Sequence, residues 1–176
     1  STRDPASGML DVQGFFHHTS AAAQEHGDPA AVELELTAQV QKALGAGITP
    51  THVDTHMGSV AHPKVMSIYI QLALKYHLPP MIFRLDEAGW RAAGLDAEWA
   101  VMAAALVQQL EESGLPLLDM LGGMHLDDPG NRMERTKQAL AGIKPGITHF
   151  IIHPSKDTPE LRAITPDWQC RVSDYQ

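Results

Sequence analysis

The chain has 176 residues, 44% of them apolar, and a formal net charge of −8. That length fits one domain with a sizeable core, and the apolar share excludes wholesale disorder. The acidic balance, with no Lys/Arg cluster, excludes nucleic acid as the main partner, and no apolar run approaches the roughly 18 residues of a membrane span.

Residues 1–27 read as a loop, interrupted by Gly8, Gly14 and Gly27, with Phe15-Phe16 beside His17-His18. The body, 28–176, opens on Asp28-Pro29, a helix cap followed by a first-turn proline. Val32, Leu36, Val40, Ala43 and Leu44 then recur at helical spacing until Gly45 or Gly47. Pro50 leads into a short strand near 51–55. Pro63 opens a second helix with Val65, Tyr69, Leu72, Ala73 and Tyr76 on one face, stopped by Pro79-Pro80. Met81-Ile82-Phe83-Arg84 reads as a buried strand. Asp96 caps a third helix that turns Trp99, Met102, Ala103, Leu106 and Leu110 inward and ends at Gly114. Leu117-Leu118-Asp119-Met120 is a further short strand, and Asp128-Pro129 repeats the cap-plus-proline signal for a helix over about 130–142. Pro145-Gly146 turns the chain into a strand that ends at Ile151-Ile152-His153, with loop and a short helix after Pro154.

Alternating helices and strands imply an α/β fold, with parallel strands joined by crossover helices in an open or barrel form. Reacting groups in such folds collect at the carboxyl ends of strands. His56, Arg84, Asp119 and His153 stand at four such ends.

The densest chemistry lies in Thr51-His52-Val53-Asp54-Thr55-His56. Alternate side chains of an extended strand point the same way, so His52, Asp54 and His56 share one side. Imidazole and carboxylate are the ligands that zinc and similar divalent ions accept, which points to a metal-dependent hydrolase. Ten histidines against 13 Lys and Arg lean the same way. Each residue also has a plainer reading. His56 fits a strand-end histidine satisfied by a backbone carbonyl, Asp54 a turn carboxylate, and His52 a packing residue left outside the site. His153-Pro154 fits a pair that orients the next loop. Arg84 fits an ion pair with Asp86 or Asp119. Gly122-Gly123-Met124-His125-Leu126-Asp127-Asp128 imitates a metal motif, but its aspartates are explained by a helix start.

These residues resemble the YdjC-like carbohydrate deacetylases, whose motif runs Thr-His-x-Asp-Ser-His-x-His-x-His with a proline three residues on. Thr51 to His56 follow it closely and Pro63 falls in register, while Gly58 and Val60 replace the two later histidines. Gly47-Ile48-Thr49-Pro50, Pro145-Gly146-Ile147-Thr148, Ile152-His153-Pro154, Asp167-Trp168 and Arg171-x-x-Asp174 extend the likeness. The resemblance implies a distorted (β/α) barrel that removes acetyl groups from N-acetylated sugars. It also implies a divalent ion, Mg or Zn, held by one aspartate and two histidines, and a homodimer. His56 corresponds to one ligand. The other ligands and a catalytic aspartate are expected upstream, so 1–176 is expected to be one catalytic-type domain cut at both ends. Asp54 and His153 are the candidate catalytic residues: Asp54 accepts a hydrogen bond from a ligand imidazole or a sugar hydroxyl, and His153 protonates the departing amine. The single cysteine, Cys170, and the lack of a targeting pattern point to the cytoplasm. The competing functions are a metal-dependent hydrolase of non-sugar amides or esters, and a non-catalytic sugar- or partner-binding domain.

Overall fold

The computed structural model describes residues 2–176. Side-chain caps start most of its helices. Thr19 Oγ1 accepts the Ala22 N–H at 3.2 Å ahead of α1 (Ser20–His26), and Asp28 Oδ2 accepts that of Ala31 at 2.9 Å ahead of α2 (Pro29–Gly45). His62 Nδ1 caps α3 (Pro63–Tyr76), whose chain leaves through His77 in the left-handed region. Asp86 and Asp96 cap α4 (Glu87–Ala92) and α5 (Ala97–Glu112). α6 (Arg132–Ala141), α7 (Pro159–Ile164) and α8 (Trp168–Tyr175) complete the set. The strands β1 (Met120–Gly123) and β2 (Thr148–Ile151) pair in parallel, with Met120 opposite Thr148 and Gly123 opposite Ile151. The α/β reading with parallel strands therefore holds.

Several local expectations are corrected. Residues 1–27 are not all loop: they contain a 3₁₀ turn at Pro5–Ser7, a Leu10–Phe16 bridge and α1. α4 was not anticipated, although Asp86 is a cap of the usual kind. The strands read at 51–55 and 81–84 shrink to single parallel bridges, Val53–Pro80 and Phe83–Leu118. The Val53–Pro80 bridge uses Pro79 O and the Met81 N–H, and the next donor towards Thr51 would be the N–H of residue 79, which a proline lacks. α6 starts at Arg132, because Asp128 spends its carboxylate on the Gly130 N–H (2.8 Å) and Asn131 takes a left-handed conformation. α5 buries Ala100, Val107 and Leu110, while Trp99 and Met102 are 42% and 54% exposed. Its sequence is apolar on nearly every side, so period alone did not determine the phase.

Contacts gather into two units. The first takes Ser1–Ile82 and Asp86–Leu117, and the second Phe83–Leu85 and Leu118–Gln176. The first unit has two apolar clusters, one on Tyr69, Ile70, Val107, Leu110 and Leu117, the other on Val40, Leu72 and Leu78. Val53 packs against both, which seats the 51–56 segment on the core. The second unit holds β1, β2 and α6 to α8, and buries Met124, Leu161 and Cys170. No helix among the described residues is long and apolar enough to cross a membrane.

Candidate functional site

Exposure alternates along the motif: His52, Asp54 and His56 are exposed, whereas Val53 and Thr55 are half-buried. Although His56 itself opens a 3₁₀ turn, His56–Gly58, and only one bridge forms, the extended geometry survives as far as Thr55. Backbone bonds hold it there, with the Val53 N–H donating to Pro79 O at 2.9 Å and Val53 O accepting from Met81 N at 3.0 Å. Beneath it lies Tyr69, 2% exposed, whose hydroxyl donates to Val53 O at 2.6 Å and accepts the Met81 N–H at 2.8 Å. Burial pushes the Tyr69 phenol up to about 12, against the lowering effect of the Met81 N–H, and the Asp54 charge adds to the rise. The phenol therefore stays a donor at neutral pH.

After His56 the chain turns sharply. Met57 (φ 53°) and Gly58 (φ 69°) are both left-handed, a conformation that a non-glycine residue adopts only when its surroundings impose it. The surroundings are visible. Thr55 Oγ1 accepts the Val60 N–H at 3.1 Å, and Ser59 donates to His56 O from its hydroxyl at 2.8 Å. From α1, the Ser20 hydroxyl donates to Met57 O at 2.9 Å and the Gln24 amide to Gly58 O at 3.0 Å. Lys64 Nζ in turn reaches Glu25 O at 3.0 Å, at the carboxyl end of α1. The His56 carbonyl is engaged while its imidazole stays exposed, with no hydrogen-bond partner among the described residues. The plain reading of His56, a ring satisfied by a carbonyl, finds no such bond. His52 is exposed rather than packed, with Nδ1 at 2.9 Å from Thr51 Oγ1.

His153 belongs to the second unit, two residues beyond β2. It is half-buried, its N–H donates to Asp174 Oδ2 at 3.3 Å, and its Nδ1 is buried without a partner among the described residues. Asp174 Oδ1 accepts from Arg132 Nε at 2.7 Å and Nη2 at 2.5 Å, both side chains being nearly inaccessible. Arg132 Nη1 donates to His125 O at 2.5 Å and Asp128 O at 3.3 Å. Ser155 N–H donates to Arg171 O at 3.0 Å, so α8 holds both sides of Pro154.

The other candidates resolve into structural roles. Arg84 Nε lies 3.7 Å from Asp119 Oδ1, as the ion-pair reading expected, and Asp119 Oδ2 accepts the Ile147 N–H at 2.8 Å. Asp127 and Asp128 pair with Arg135 at 3.0 and 3.4 Å. His17 Nε2 donates to Gly8 O at 3.0 Å, and Trp168 lies under the Arg162 guanidinium at 4.5 Å. Asp167 pairs with Arg171 at 2.7 Å, which holds its carboxyl below the usual range. Sequence reasoning missed Arg132, Tyr69, Ser20 and Gln24 as supports. One signal was available: an arginine in the first turn of a helix opposes the macrodipole and so needs a tertiary partner.

As a test of metal binding, the described residues contain no group of three or more His, Cys, Asp or Glu side chains able to hold an ion. An exposed, unpartnered imidazole beside an exposed carboxylate does suit one member of a ligand set and its neighbour.

Comparison with known proteins gives the family. A profile described as YdjC-like protein matches residues 1–176. A Thermus thermophilus protein named carbohydrate deacetylase is 32% identical over 171 residues, covering 95% of this chain and 59% of its own length. One of the same name from Thermoanaerobacter pseudethanolicus is 27% identical over 161 residues, covering 92% and 56%. The chain thus spans under three fifths of these curated relatives. A crystal structure from Enterococcus faecalis V583, of a protein provisionally assigned to cellobiose-phosphate cleavage, superposes with a TM-score of 0.68 at 20% identity, over 99% of this chain and 62% of that one. With a family profile matched from end to end, the chain belongs to the YdjC-like protein family.

Proposed function

We propose that the whole protein is a metal-dependent carbohydrate deacetylase acting on N-acetylated sugars, with His56 as one metal ligand and Asp54 and His153 as catalytic residues. The observation that carries this reading is the exposed set His52, Asp54 and His56, ending in an imidazole with no hydrogen-bond partner among the described residues. Membership of the YdjC-like family and relatives named carbohydrate deacetylase support it. A bound Mg or Zn ion supplies Lewis acidity at the acetamide carbonyl.

The chain's own residues supply the rest. His56 presents its imidazole to solvent at the head of a turn that Ser20, Gln24 and Ser59 hold in place. Asp54 accepts a hydrogen bond from a ligand imidazole N–H or a sugar hydroxyl. His153, protonated, gives its proton to the amine nitrogen as the C–N bond breaks; water contributes an oxygen of the acetate and would give its own proton to the catalytic aspartate that the family resemblance places upstream.

The test is acetate release from N-acetylglucosamine oligomers by the full-length protein. His56→Ala and His153→Ala are each expected to abolish turnover, and chelation followed by Mg or Zn is expected to remove and restore it. Sustained turnover in either variant sinks that residue's role.

A further inference from the structure

The buried Arg132–Asp174 pair takes no part in the chemistry above, yet its side-chain hydrogen bonds outside the pair all fall on backbone beyond the carboxyl ends of β1 and β2, and the Arg171 charge also acts on Asp174. Asp174 divides its oxygens: Oδ1 receives Arg132, and Oδ2 receives the His153 N–H. Arg132 uses its remaining nitrogen on the carbonyls of His125 and Asp128. A buried ion pair is a poor source of stability, since apolar residues of similar volume serve as well or better. Its strength is direction, because a guanidinium fork fixes a carboxylate in one orientation. The placement has a further cost, since Arg132 occupies the first turn of α6, where the helix dipole disfavours a cation.

His153 is where such direction matters. Its Nδ1 is buried with no partner among the described residues, so that nitrogen does not aim the ring. The aim is inherited from the backbone, and the His153 N–H is tied to Asp174. We propose that Asp174, clamped by Arg132, is a positioning residue that holds His153 in place as proton donor, which makes the seating of α8 a condition for catalysis. The proposal rests on the reading of His153 given above.

Four variants of the full-length, metal-loaded enzyme test it, each checked for fold by near-UV circular dichroism. Asp174→Asn keeps an oxygen for the His153 N–H but loosens the clamp. It is expected to lower kcat on the order of 10–100-fold, as misplaced catalytic groups do, with KM changed less than about twofold. It is also expected to shift the alkaline limb of the kcat–pH profile, where the donor loses its proton. Asp174→Glu preserves the ion pair and displaces the carboxylate by one methylene, so it carries the same decision if the Asn variant does not fold. Arg162→Ala removes the exposed Asp157 pair and the guanidinium that covers Trp168 of α8, and is expected to leave kcat and the pH profile unchanged. His153→Gln separates the two ideas. If it is inactive while Asp174→Asn or Asp174→Glu keeps wild-type kcat and pH profile, the positioning role is overturned and the donor role stands. If His153→Gln retains turnover, the donor role itself falls. Equal loss in Arg162→Ala and Asp174→Asn overturns the proposal, since a contact of α8 remote from His153 would then matter as much as the clamp.

Discussion

Tyr69 shows how one buried side chain serves both the core and the motif. Its ring packs among Ile70, Leu110 and Leu117, while its hydroxyl meets Val53 O and the Met81 N–H. Val53 O and Met81 N also bond each other at 3.0 Å, so Tyr69→Phe leaves neither without a partner. The loss is then expected near 1 kcal/mol, read from urea denaturation. The pH dependence has a definite sign. The folded phenol is raised to about 12 from 10.0, so the folded state holds this proton more tightly than the unfolded one. Its contribution to stability is whole below pH 10 and lost as pH climbs towards 12. Wild type should therefore lose more stability than Tyr69→Phe across that window, and parallel denaturation curves would refute the assignment. At this scale the sequence was most legible. Two-residue alternation put His52, Asp54 and His56 on one side; all three are exposed, but His56 falls in a 3₁₀ turn and the described residues hold no group of three such ligands.

Among elements, caps and breakers were legible and phase was not. Asp28, Pro29, Pro63 and Asp96 act locally, so they mark α2, α3 and α5 without tertiary help. Asp128 carries the same signature and fails, because its carboxylate is committed to Gly130 and faces Arg135 at 3.4 Å. Glycines divide by a similar test. A Cβ on Gly123 would lie 2.6 Å from Ile151 O across the β1–β2 ladder, and that backbone cannot yield. Gly123→Ala is expected to destabilise by about 1–3 kcal/mol. Gly45, at the end of α2, has nothing near such a Cβ, so Gly45→Ala is expected to stabilise by about 0.4–1 kcal/mol. Thermal melts of the two variants should move in opposite directions.

In the molecule as a whole, burial decides which charges matter. The Arg132–Asp174 side chains, 2.5 Å apart, are 4% and 3% exposed, whereas Arg162–Asp157, at 2.6 Å, is 53% and 40% exposed. Arg132→Met strands a buried carboxylate and is expected to cost about 3–5 kcal/mol in chemical denaturation. Asp157→Asn is expected to leave the unfolding midpoint unchanged, because water screens the exposed pair. A comparable loss in both would mean that burial is not the deciding variable.

Local chemistry was enough to read the α/β alternation, the major helix starts and the solvent-facing set ending at His56, since each depends on residues a few positions apart. Tertiary structure alone decided that α1 braces the turn after His56 through Ser20 and Gln24, across more than 30 residues of chain. It alone joined Arg132 to Asp174, 42 residues away, under the His153 backbone. Hydrogen bonds and ion pairs between distant segments leave no period in a sequence. They arise only when packing brings a donor to an acceptor that water has already left.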